Sequence, residues 1–70
     1  MSSAERATLK DRLDKAVTTG CPEKIIEEAK YGLRMFRFHG YPADWHLWER
    51  ARDTALEQLQ MDLNHRVVIL

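Results

Sequence analysis

The chain has 70 residues, 44% of them hydrophobic and 31% charged, with 11 Lys and Arg balancing 11 Asp and Glu. This length fits one domain, and at such a size only about 60% of the unfolded surface is buried, which excludes a deep enclosed substrate cleft. The balanced charge excludes a protein that holds nucleic acid by bulk positive charge, and the apolar content excludes a disordered chain.

The first helix is expected over residues 3–18. Ser2 and Glu5 have capping-box spacing, which satisfies free N–H groups at a helix start. Leu9, Leu13, Ala16 and Val17 fall on one narrow stripe. Lys10 with Asp14 and Asp11 with Lys15 are opposite charges one turn apart on the wet side, each pair worth a few tenths of a kcal/mol. Thr18-Thr19-Gly20-Cys21-Pro22 ends this helix: Gly accepts the left-handed conformation past a helix end, and Pro loses nothing at the next helix start.

The second helix is expected over residues 22–38, with Glu23 near its positive end. Its core stripe is Ile25, Ile26, Ala29, Leu33 and Phe36, with Gly32 beside it. A mid-helix Gly costs about 1 kcal/mol against Ala, so a close backbone approach is the expected reason for Gly32. Two further stripes share this helix. Lys30, Arg34 and Arg37 make a basic one; Tyr31, Met35 and Phe38 make an apolar one turned roughly 150° from the core centre. No acidic residue occurs from Ala29 through Ala43, a stretch that also holds Phe36, His39 and Tyr41.

His39-Gly40-Tyr41-Pro42 makes the second break, and the third helix is expected over residues 43–64. Trp45, Trp48, Ala55, Leu56, Leu59 and Leu63 lie on its core face, with Arg52 laying its stem along that face; Glu49, Asp53, Glu57 and Gln60 face water. The tail 65–70 is rich in β-branched residues and is expected to fold back on the core, to add a short strand in an assembly, or to serve as a peptide ligand. The whole reads as one all-α domain over residues 1–70, a three-helix antiparallel bundle open to completion by dimerisation.

Chemistry-bearing residues are sparse. Cys21 is the single cysteine, so neither an internal disulfide nor a cysteine zinc site is available. His46, Glu49 and Asp53 share a helix face, but one helix supplies too few ligands for a closed metal site. The three glycines are well separated and build no phosphate-cradling loop. No nucleophile or acid–base constellation stands out, so no catalytic residue, metal or cofactor is assigned. The N-terminal segment does not read as a signal peptide, and the longest aliphatic run, Val67 to Leu70, is too short to span a membrane. A cytoplasmic protein of bacterial or phage type is expected.

The surplus aromatic stripe has three readings. In the first, Tyr31, Met35 and Phe38 meet Trp45, Trp48 or the tail and finish the core. In the second, Tyr31, Arg34, Met35, Arg37, Phe38 and Tyr41 bind another protein or a second copy of the chain, making the molecule a small non-enzymatic regulator, adaptor or inhibitor. In the third, the same basic and aromatic residues bind nucleic acid. The helices around His39–Pro42 have the outline of a helix-turn-helix, but Glu49, Asp53 and Glu57 on the would-be recognition helix repel phosphate.

Overall fold

A computed structural model describes residues 2–69, with side chains through residue 63. Three helices follow one another: α1 (Ser3–Thr19), α2 (Pro22–His39) and α3 (His46–Ile69). They form the all-α three-helix bundle that the stripes predict, with no strand among the described residues.

Local chemistry sets the boundaries. Ser2 Oγ accepts the Glu5 N–H at 3.2 Å and caps α1. Gly20 is left-handed (φ 70°) and its N–H donates to the Val17 carbonyl. Both predicted one-turn ion pairs form, Lys10–Asp14 at 3.1 Å and Asp11–Lys15 at 3.0 Å. Cys21 precedes Pro22 at the start of α2 and makes no side-chain capping bond; its own N–H donates to Thr19 Oγ1.

Two expectations about α3 need correction. The helix starts at His46 rather than near residue 43, because Trp45 N–H donates to the Pro42 carbonyl and Leu47 N–H to that of Asp44, closing tight turns before the helical ladder begins. The backbone then stays helical to Ile69 instead of stopping near residue 64. Extending a formed helix adds one hydrogen bond per residue, whereas each β-branched residue costs only about 0.3–0.7 kcal/mol of propensity. How the tail side chains pack lies outside the described residues.

α2 is the central element and packs against both neighbours. Leu9 and Leu13 of α1, Ala29 and Phe36 of α2, and Trp48 of α3 make one buried cluster, with Leu33, Met35, Trp45 and Ala51 packed around it. Trp48 and Phe36 are completely buried and meet edge to face, ring centroids 4.8 Å apart. Gly32 is explained by this ring: a Cβ there would lie 2.5 Å from Trp48 Cδ1. The close approach is therefore by a side chain, not by a backbone.

Several predicted core residues are not buried. Val17 is exposed and lines an open groove with Ile25, Leu47, Ala51 and Ala55. Ile25, Ile26 and Leu33 are only partly buried. Leu56 and Leu63 stay exposed on α3. The cause is shape. The 24 residues of α3 outrun the 18 of α2 by roughly 9 Å at 1.5 Å per residue, so the far end of α3 has no helix beside it. The molecule measures 50 × 20 × 15 Å with a radius of gyration of 13.9 Å, against about 11 Å for a compact chain of this length.

Candidate interaction surface

The six residues expected to bind a partner sit at the C-terminal half of α2 and the turn after it, but the structure treats them differently. Tyr31, 39% exposed, lies under the Arg12 guanidinium, which stands 4.4 Å from the ring centroid. Arg12 Nε also binds the Glu28 carboxylate at 2.9 Å. That hydrogen bond holds the Arg12 pKa above its usual value, with the charge of Glu28 and a smaller contribution from Tyr31 adding to it and desolvation opposing. Arg12 thus joins α1 to α2 and lies over the tyrosine ring. Met35 is partly buried against the core.

Tyr41 remains 54% exposed while packing on Phe36 at 6.1 Å and on Trp45 at 5.4 Å. Trp45 in turn stacks on His46 at 3.9 Å. The rings therefore run continuously from buried Trp48 out to His46, and Tyr41 is held firmly at the turn. Of the reading in which the surplus stripe finishes the core, only Met35 follows it, packing on the cluster that holds Trp48, while the rings of Trp45 and Trp48 meet Tyr41 and Phe36.

Phe38 is the outlier. It is 76% exposed and makes no ring contact among the described residues. Arg34 and Arg37 flank it on α2, both exposed. Neither of them, nor Lys30, forms an ion pair among the described residues. The result is a helical surface with an aromatic centre, unneutralised guanidinium groups and, at its edge, a tyrosine packed on two other rings. Arg guanidinium groups and aromatic rings are the types enriched in interface cores.

Sequence reasoning missed Arg12 and Glu28, whose pairing decides how much of Tyr31 is open. No local signal marks it, since the partners belong to different helices. His46, Glu49 and Asp53 line a shallow solvent-facing groove with Arg50 and Glu57. No group of three or more His, Cys, Asp or Glu residues able to hold a metal ion occurs among the described residues. No described helix is long and apolar enough to cross a membrane. Compared with protein families, curated proteins and solved structures, the chain matches none.

Proposed function

We propose that this chain is a small, non-enzymatic, cytoplasmic interaction module. It acts as a regulator, adaptor or inhibitor by docking another protein on the outer face of α2, and part of its remaining apolar surface serves self-association. Phe38 is the anchor, Arg34 and Arg37 supply charge beside it, and Tyr31 and Tyr41 form the margins. Met35 contributes by supporting the helix from within.

The observation that carries this reading is the exposure of Phe38 on the last turn of α2. An exposed phenylalanine of this kind gives the fold nothing, and burying it against a partner is worth about 1.5–3 kcal/mol. The basic surround selects a partner surface that is apolar at its centre and acidic at its rim. The same unpaired cations favour nucleic acid as the alternative, against which stands the acidic outer face of α3.

Phe38→Glu and Arg37→Glu should each leave far-UV helicity unchanged and shift unfolding free energy by no more than about 0.5 kcal/mol. Both should remove binding to the partner. If the Phe38 variant unfolds, the residue belongs to the core and the reading fails. Oligonucleotide binding that weakens steeply with salt would transfer the face to the nucleic-acid alternative.

A further inference from the structure

Tyr31, Arg34, Met35 and Phe38 stand at i, i+3, i+4 and i+7 on α2. Four residues at this spacing make a diamond on one face of a helix, the hole that receives one side chain of a neighbouring helix when two helices pack. At about 100° per residue, the centre of this diamond lies roughly 170° round α2 from Ala29, which is fully buried. The hole therefore opens away from the core. Exposed Tyr31 and Phe38 form its two ends, about 10.5 Å apart along the axis at roughly 1.5 Å per residue. Exposed Arg34 forms one side, and Met35, partly buried against the core, backs the other.

Charge is unevenly placed round this hole. Lys30, Arg34 and Arg37 follow one another along the shoulder away from α1, all exposed and in no ion pair among the described residues. On the opposite shoulder Arg12 of α1 lies over Tyr31, and its charge is already met by Glu28. The acids on the same outward side of α2 are Glu23 and Glu27, both in the first half of the helix. Glu49 of α3 is partly buried and pairs with none of the three cations. A carboxylate brought to this face thus finds its partners at Arg34 and Arg37, beside Phe38, and is repelled one turn before Tyr31.

The occupant follows from these two patterns. A diamond hole takes a side chain from a helix, whereas an extended strand docks by main-chain hydrogen bonds, and the middle of a helix has no free main-chain group to make them. A nucleic-acid backbone running along α2 meets Glu23 and Glu27 as well as the cations, which sets it behind a protein. We infer that the outer face of α2 receives an amphipathic helix of another protein. That helix sets one aliphatic side chain between Tyr31 and Phe38 and turns a carboxylate flank toward Arg34 and Arg37. The inference rests on the docking role proposed for this face and adds the conformation and charge of the partner segment.

Selection of binding peptides against the full chain tests it, from a displayed library of alanine-based helices whose outer positions vary evenly among Leu, Ser, Glu and Lys. The selected peptides should share a Leu with Glu three or four residues away on one flank. Phe38→Ala and Arg34→Glu should each weaken the tightest of them about tenfold or more and leave far-UV helicity unchanged. Lys in place of the flanking Glu of the peptide should restore binding to the Arg34→Glu chain. The inference is overturned by selected peptides that are basic or indifferent to charge, or by a Lys exchange that restores nothing. In those cases a loss of binding with Phe38→Ala still leaves the docking role standing. If no selected peptide binds through Phe38, both fall. An oligonucleotide bound through Phe38 and Arg34, with no peptide selected, gives the face to nucleic acid and equally overturns the inference.

Discussion

Gly32 shows how a single residue can be set by a contact in another helix. Helix propensity alone favours Gly32→Ala by about 1 kcal/mol. The added methyl, however, would meet Trp48 Cδ1 at 2.5 Å and Nε1 at 2.6 Å, and a completely buried indole has nowhere to move. Overpacking of this kind costs typically about 1–3 kcal/mol. Gly32→Ala is therefore expected to lower stability by up to about 2 kcal/mol in urea unfolding, in spite of its better propensity. The Trp48 indole N–H adds to the tension at this site, because it is buried without a hydrogen-bond partner among the described residues. Phe38 presents the opposite case: nothing within the described chain covers its ring, so its chemistry is directed outward.

Among the elements, α2 holds the bundle together, since α1 and α3 both pack on it. Native-state hydrogen exchange should accordingly find the slowest amides around Ala29–Phe36. Protection in α3 should fall away past Leu59, where Met61 and Leu63 are exposed and no helix lies alongside. Equal protection along the whole of α3 would contradict this picture of the monomer and point to a partner over its far end. The helices themselves were legible from the chain because their signals are local. Ser2, Gly20 and Pro22 each act within a few residues, and the one-turn ion pairs depend on helical spacing alone. The start of α3 was less legible, because the turns at Pro42–Leu47 compete with helix over the same residues. Which of Tyr31, Met35 and Phe38 stays open was not legible at all. Periodicity places the three on one stripe, but Arg12 of α1 and the width of the core decide their exposure, and both depend on how the helices dock.

For the whole molecule, zero net charge conceals a separation. The stretch from Ala29 through Ala43 has no acidic residue, while α3 carries Glu49, Asp53 and Glu57 toward solvent. A 50 Å molecule only 15 Å thick has little interior and a large surface for its mass, which suits binding better than enclosing a substrate. The central claim is that the outer face of α2, with Phe38 at its middle, docks another protein. A photo-crosslinking phenylalanine analogue placed at position 38 in the intact chain, in cells that produce it, tests this most directly. The expected result is one discrete adduct to a different protein, lost when Arg34→Glu and Arg37→Glu are added and absent when the analogue replaces exposed Met61. Failure to form any adduct at position 38, or the same adducts from both positions, would contradict the account.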